Sequence, residues 1–188
     1  MDAIEGDSVN APASDQPGRR TLRPREHHFR GSLGRFATGV AIVTFDGAGI
    51  AEAPGKRHGL TVNSFTSVSM DPPLVLVSIA RSTKAHNELK NRPFTVNILG
   101  AEQQGLAMHF AGRPAHEPVW AEGQVAPRLA NVLAFFECKP WAEYDGGDHT
   151  LYLGEVVDFD YRNGDALAFA NSRFTTIPES QLGVEDLL

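Results

Sequence analysis

The chain has 188 residues, 41% of them hydrophobic, which suits one compact domain with tails. Its formal net charge of −6 argues against the broad basic face of a nucleic-acid binder. One cysteine, Cys138, rules out an intrachain disulfide and any multi-cysteine metal site. That cysteine stands in the apolar run VLAFFECKPW and reads as a buried structural thiol. No stretch approaches the roughly 18 apolar residues of a membrane-spanning helix. The N-terminus lacks the apolar core of a secretory signal, so a cytoplasmic protein with no membrane partner is expected.

Residues 1–24 are rich in Asp, Ala, Pro, Ser and Arg and carry no aromatic side chain. Such a composition cannot bury enough surface to offset the entropy of ordering, so a flexible tail is expected. The domain is expected over 25–176, with a C-terminal tail over 177–188. In EHHFRGSLGRFATG, Phe29, Leu33 and Phe36 recur at helical spacing, with Gly39 placed to end the helix. His27 and His28 at its start are adjacent rather than on one face, which is no metal pair.

VAIVTF reads as a buried β-branched strand and DGAGIAEAPGK as a turn-rich loop. The loop fails as a phosphate-binding P-loop. Five residues rather than four separate Gly49 from Gly55, and Arg57 stands where a Ser or Thr would hold magnesium. HGLTVNSF is the next strand, and LVLVSIA after DPP is a near-continuous apolar one. Ser82 or Thr83 then caps a short helix, STKAHNELKNR, with Glu88 and Lys90 exposed and Pro93 stopping it. FTVNIL is another strand, and AEQQGLAMHFAG another helix with Leu106 and Phe110 on one face.

RPAHEPVWAEGQVAPRLA carries three prolines and little periodicity, and reads as a long loop of the sort that covers a site. NVLAFFECKPWAEY, TLYLGEVVDFDY and ALAFA complete the strands. Six or seven strands and two or three short helices, without βαβ alternation or repeat, predict a mainly β protein. The expected architecture is an antiparallel β-barrel with peripheral helices. A doubly wound nucleotide fold lacks its G-x-G-x-x-G turn.

Few residues carry chemistry by pattern. There is no G-x-S-x-G elbow for a serine nucleophile. His109 and His116 lie seven apart across a proline-bearing loop, without metal-ligand spacing. Glu143, Asp145 and Asp148 crowd a turn and read as a solvated face rather than a glycosidase pair. What remains is the hydroxyl-rich stretch His58–Ser69, with Ser64, Thr66, Ser67 and Ser69, followed by Ser82, Thr83 and Lys84 at a helix start. Clustered hydroxyls beside a lysine-bearing helix start can hold a phosphate and its polyol. The same residues also suit a strand edge and a helix cap. His149, in GGDHT, is either a half-buried strand-start residue or a group that orients a ligand at the barrel mouth. Gly146 and Gly147 beside it would let backbone approach a planar ring closely.

Several segments occur here in one order: FRGSLGRFATGVAIVT, HGLTVNSFTSVSMDPPLVLVSI, STKAHNEL, FTVNIL, a helix ending HFAG, and GDHTLYLGEVVDF. Together they resemble the flavin reductase-like family, the short reductases that partner flavin-dependent monooxygenases, over residues 29–174. The resemblance implies a split β-barrel of the FMN-binding, Greek-key type, and a homodimer whose flavin groove both subunits build. It implies Thr61, Asn63, Ser64, Ser67, Val68 and Ser69 at the flavin ring edge and ribityl chain, and Ser82 and Lys84 at the phosphate. It implies Phe110 beside the flavin and His149 on the nicotinamide side. FMN or FAD is the implied cofactor, NADH or NADPH the co-substrate, and a separate monooxygenase the recipient of reduced flavin; no metal is implied.

Two departures stand out: the loop Asp46–Lys56 is longer than the usual hairpin, and Ala166-Leu167 replaces a Pro-Leu. The implied activity is that of an NAD(P)H:flavin oxidoreductase. Hydride transfer needs two rings stacked at about 3–3.5 Å, not a nucleophile, metal or strong acid. The alternatives are a non-catalytic flavin-binding or carrier protein on the same barrel, and an oxidase of the pyridoxamine-phosphate type. The latter is disfavoured by the lack of a basic substrate-phosphate cluster. Independently of the resemblance, an open barrel with an apolar strand such as LVLVSIA calls for covered flanks, which hints at dimerisation.

Overall fold

A computed structural model of the chain describes residues 24–47, 56–113 and 116–179. The expected tails, apart from their inner edges, and most of the loop after Asp46 lie outside the described residues. The chain opens with α1 (Pro24–Leu33), β1 (Thr38–Gly39), β2 (Ala41–Asp46), β3 (Arg57–Val62), β4 (Thr66–Met70) and β5 (Pro73–Ala80). There follow α2 (Lys84–Leu89), β6 (Phe94–Ile98) and α3 (Gln104–Phe110), the last led in by a 3₁₀ turn over Ala101–Gln103. The remainder is β7 (Trp120–Ala121), β8 (Arg128–Leu129), β9 (Ala134–Gly146), β10 (His149–Tyr161), β11 (Ala166–Ala170) and β12 (Arg173–Ile177).

Strand alternation decides where the core sits. Along β2, Ala41, Val43 and Phe45 point to one side, where they meet Val62, Val75, Val77, Phe94, Val96, Cys138 and Tyr152. Val40 and Ile42 point to the other side and join Leu99, Ala107, Leu129 and Leu167. With both faces buried, β2 reads as an unbroken apolar run. The main sheet has seven antiparallel strands in the order β3-β2-β6-β9-β10-β5-β4. Six of those strands and Leu89 of α2 line the first core, so the sheet curls around it. It stays open between its edge strands β3 and β4, which the segment 63–65 connects. This is the mainly β, split-barrel architecture that was expected. The outer face of β2 is covered by α3, by the small sheet β1-β11-β12, and by a strap carrying β7 and β8.

Four polar side chains lie fully buried under that strap: Thr44, Thr95, Asn97 and Glu137. Buried polar groups are as a rule hydrogen-bonded, and here the partners across the sheet are main-chain atoms of the strap; Glu137 Oε1 has no hydrogen-bond partner among the described residues. Thr44 Oγ1 donates to the Pro127 carbonyl at 2.5 Å, and Thr95 Oγ1 to that of Ala126 at 3.5 Å. Asn97 Oδ1 accepts from the Leu129 amide at 2.8 Å, while its Nδ2 donates to Thr44 Oγ1 at 3.0 Å. Glu137 Oε2 accepts from the amides of Gln124 and Val125 at 2.6 and 2.9 Å.

Several local expectations are corrected. Helix α1 ends at Leu33 rather than near Gly39, with the Gly34 amide bonded to the Arg30 carbonyl; Gly39 lies in β1. A helix-poor glycine at position 34 outweighs the apolar spacing beyond it. Phe29, Leu33 and Phe36 are exposed by 64%, 58% and 78%, so their spacing marks a surface stripe and not a core face. Neither Ser82 nor Thr83 caps α2 through its side chain: Thr83 occupies the cap position, but its hydroxyl donates back to the Ala80 carbonyl at 2.8 Å. Glu88 is half-buried, 3.5 Å from His58 Nε2.

The proline-rich loop carries two short strands, β7 and β8, paired with each other. HGLTVNSF breaks at Val62, so the following TSVSM forms its own strand, β4. RFTTI forms a further strand, β12, which gives twelve strands among the described residues instead of six or seven. Strand β5 lies between β10 and β4, so LVLVSIA has both edges covered within one chain and gives no reason to dimerise. Cys138 is fully buried, and burial, then the Glu137 charge, push its thiol up to about 12. Among the described residues no helix is long and apolar enough to cross a membrane.

The β9–β10 hairpin crosses the core at a glycine with no room to spare. A Cβ on Gly154 would sit 2.6 Å from both Cys138 Cβ and Phe94 Cζ. Gly154→Ala is therefore expected to destabilise the protein by about 1–3 kcal/mol through overpacking. Urea unfolding checks this, and a midpoint equal to that of the parent would show that the neighbours yield freely.

Candidate functional site

The site is assembled where β5 runs out. The last residue of β5, Ala80, pairs with His149, the first residue of β10. The Arg81 amide continues the ladder to the Asp148 carbonyl at 3.0 Å, and Arg81 Nε reaches the His149 carbonyl at 3.3 Å. These bonds set His149 beside the short turn that carries Ser82 and leads into Lys84, both exposed. His149 is half-buried, and its Nδ1 lies 2.7 Å from Asp148 Oδ1, which orients the ring. The turn of the β9–β10 hairpin is fixed from the same place. Arg81 Nη2 meets Asp145 Oδ2 at 2.9 Å, and the Gly147 amide donates to Asp145 Oδ1 at 2.8 Å. Gly147 has φ +78, a left-handed conformation suited to glycine. The Gly147 amide, then Arg81, hold the Asp145 carboxyl below the usual carboxylate range.

The hydroxyl stretch divides into two sets. Thr61 and Ser64 spend their hydroxyls on the fold. Ser64 Oγ donates to the Ser78 carbonyl at 2.8 Å and accepts from the Ser78 amide at 3.0 Å, stitching the 63–65 segment to β5. Thr61 Oγ1 donates to the Ala107 carbonyl at 2.7 Å, which ties α3 to β3. Asn63, Ser67 and Val68 are exposed and Ser69 is half-buried. The β4–β5 register shifts between Ser67 and Ser69, so Val68 bulges out of the ladder. Because β4 is an edge strand, its outer side presents backbone donors and acceptors that no strand among the described residues takes up.

Phe110 reaches β3 from α3. A Cβ on Gly59 would lie 2.5 Å from the Phe110 ring, so only glycine lets the ring settle there. Trp120 of the strap meets Phe110 edge to face at 6.1 Å, and Arg57 lies over Trp120 at 5.5 Å while pairing with Glu122 at 2.6 Å. The structure thus brings Ser82, Lys84 and His149 to one turn, and Thr61 and Phe110 to the junction of α3 with β3. Two residues that sequence reasoning missed hold these groups in place. Arg81 directly precedes S-T-K, and that adjacency was the available signal. Trp120 sits in the proline-rich stretch, where no periodicity marks it.

Residues 33–178 match the family described as flavin reductase like domain. The chain belongs to the flavin reductase-like family. It is 40% identical over 156 residues to an NADH-dependent flavin reductase of a Rhodococcus species, covering 80% of this chain and 85% of the relative. It is 34% identical over 165 residues to the reductase component of a 4-nitrophenol 4-monooxygenase/4-nitrocatechol 2-monooxygenase of Rhodococcus opacus, covering 85% of this chain and 86% of the relative. The NADH:FAD oxidoreductase of Streptomyces globisporus, solved in complex with NAD and FAD fragments, superposes with a TM-score of 0.71 at 34% identity. That match covers 84% of this chain and 96% of the solved one.

Within this flavin reductase-like domain the two hydroxyl sets are separable by experiment. Ser64→Ala removes both bonds to Ser78 and is expected to cost about 1–2 kcal/mol of stability. Ser67→Ala touches an exposed hydroxyl and is expected to stay within about 0.5 kcal/mol of the parent. Equal urea midpoints for the two variants would remove Ser64 from its structural role.

Proposed function

We propose that the protein is an NAD(P)H-dependent flavin reductase of the 1.5.1 class. It transfers hydride from reduced nicotinamide to FMN or FAD and supplies reduced flavin to a separate monooxygenase. The observation that carries this reading is the pairing of His149 with Ala80, which sets a histidine beside the Ser82–Lys84 turn. The residues present fit a flavin. An edge strand with a bulge at Val68 offers backbone donors and small hydroxyls, and an exposed lysine stands at the adjoining turn. When bound, flavin supplies a ring that takes up a hydride and passes electrons onward.

Each residue then has a task that needs no nucleophile. The edge from Ser67 to Ser69, with Asn63, offers hydrogen bonds to a heterocycle edge and a polyol. Donors fixed in advance stabilise charge that develops on such an edge. Ser64 and Thr61 act behind them, holding the segment to β5 and α3. Ser82 and Lys84 take a phosphate. Phe110 packs beside the ligand, and His149, oriented by Asp148, holds the nicotinamide partner in place.

The working domain is residues 25–176, and the assembly a homodimer. The exposed Met70, Phe159 and Tyr161, at 90%, 66% and 77%, favour a second copy over open solvent. The reaction belongs in the cytoplasm, where reduced nicotinamide is supplied.

Purified protein is expected to oxidise NADH or NADPH only when FMN or FAD is added, followed by absorbance at the nicotinamide band. No flavin-dependent turnover with either nicotinamide would reject the activity. His149→Ala is expected to raise the nicotinamide KM or lower kcat while leaving flavin affinity nearly intact. An unchanged kcat/KM would take His149 out of the site.

A further inference from the structure

The Ser82–Lys84 turn is tied to the start of β10 at both of its ends. On the near side the tie is Arg81, whose amide bonds the Asp148 carbonyl at 3.0 Å and whose Nε bonds the His149 carbonyl at 3.3 Å. On the far side the tie is His86 of α2, whose Nε2 lies 2.8 Å from Thr150 Oγ1. Tyr152 Oη adds a bond to the His86 carbonyl at 2.8 Å, and its ring meets the imidazole edge to face at 6.1 Å. Along β10, His149 falls between these attachment points.

Close packing does not do this work. A helix of six residues does not persist unaided, and Ala85 and Leu89 anchor α2 in the first core. Apolar contact is non-directional, whereas a hydrogen bond fixes an orientation. Toward the β9–β10 hairpin a cavity of about 310 Å³ stays open, bordered by His86, Thr150 and Tyr152. Thr150 is a firm point of attachment: it is buried, and its backbone is laddered to Ile79 on one side and Asp145 on the other. Asn87 Oδ1, 3.1 Å from His86 Nδ1, can only accept, so the neutral ring carries its proton on Nδ1 and Nε2 accepts from the Thr150 hydroxyl.

A turn bracketed in this way shifts only together with the start of β10. We propose that His86 is a positioning residue for hydride transfer: bonded to Thr150, it makes the Ser82–Lys84 turn and His149 one unit, so that a flavin phosphate seated at the turn also settles the nicotinamide side. The inference rests on the reading of Ser82 and Lys84 as the phosphate turn and of His149 as the nicotinamide group of a flavin reductase. Energy passes through a contiguous chain of bonds, from the turn to α2, from His86 to Thr150, and from Thr150 to its neighbour His149. The imidazole itself needs no contact with either ring.

FMN and riboflavin, which lacks the phosphate, provide the test. At saturating flavin, kcat/KM is measured for NADH or NADPH, whichever turns over faster, and the FMN-to-riboflavin ratio reports what the phosphate does for the nicotinamide side. In the parent that ratio is expected to be about three to ten, the worth of one hydrogen bond. His86→Phe keeps a ring beside Tyr152 but loses the acceptor, and Thr150→Val loses the hydroxyl at nearly constant shape. In both, the ratio is expected to approach one. His86→Gln keeps an acceptor within reach of Thr150 and is expected to retain the ratio of the parent. Loosening of the fold alone would lower kcat/KM with both flavins alike and leave the ratio standing. A ratio of one in the parent, or the ratio of the parent in both His86→Phe and Thr150→Val, overturns the proposal. A parent that turns over with neither flavin overturns instead the reading on which it rests.

Discussion

Ser64 is the residue on which the architecture turns. A rolled sheet left open along one seam has two edges that drift apart unless something holds them. Here a single hydroxyl takes both the amide and the carbonyl of Ser78, and so fixes the crossing from β3 to β4 against the strand beyond. That bond pair carries the β4–β5 pairing on past Thr66 and Leu76 to Ser78. Together with the β4–β5 and β5–β10 ladders it places the bulge at Val68 relative to the Ser82–Lys84 turn and His149.

The chemistry asked of this arrangement is positional. Charged groups around the turn are largely spoken for: Arg81 by Asp145 and by the His149 carbonyl, and His149 by Asp148. What remains available is the exposed lysine, the small hydroxyls of β4 and the free backbone of an edge strand. Such a set binds and orients; it does not abstract protons from carbon or attack carbonyls. Hydride transfer between stacked rings makes no greater demand, which explains why no triad or metal spacing is written into the chain.

Much of this was legible in the chain itself. Unbroken β-branched and apolar runs marked VAIVTF and LVLVSIA as strands, because burial on both faces leaves such a signature. Order and spacing of several short segments identified the family. The roles within the hydroxyl cluster were not legible. Ser64 and Ser67 are three residues apart and chemically identical, and only the fold distinguishes the hydroxyl facing Ser78 from the one facing solvent. The end of α1 was missed because apolar spacing continues past Gly34, whereas the backbone does not. Strands β7 and β8 escaped notice since what holds them is the buried quartet of polar side chains, far away in sequence.

Toward the strap, those four side chains engage only peptide groups. The Pro127 and Ala126 carbonyls and the amides of Gln124, Val125 and Leu129 are present whatever residues fill the segment, save a proline where an amide is required. Fastening of this kind is blind to the side chains that point away from the sheet. The outward side chains of the segment are free to diverge, whereas Gly123, whose Cβ would lie 2.6 Å from Glu137 Oε1, and the buried Ala126 and Leu129 are held to their sizes.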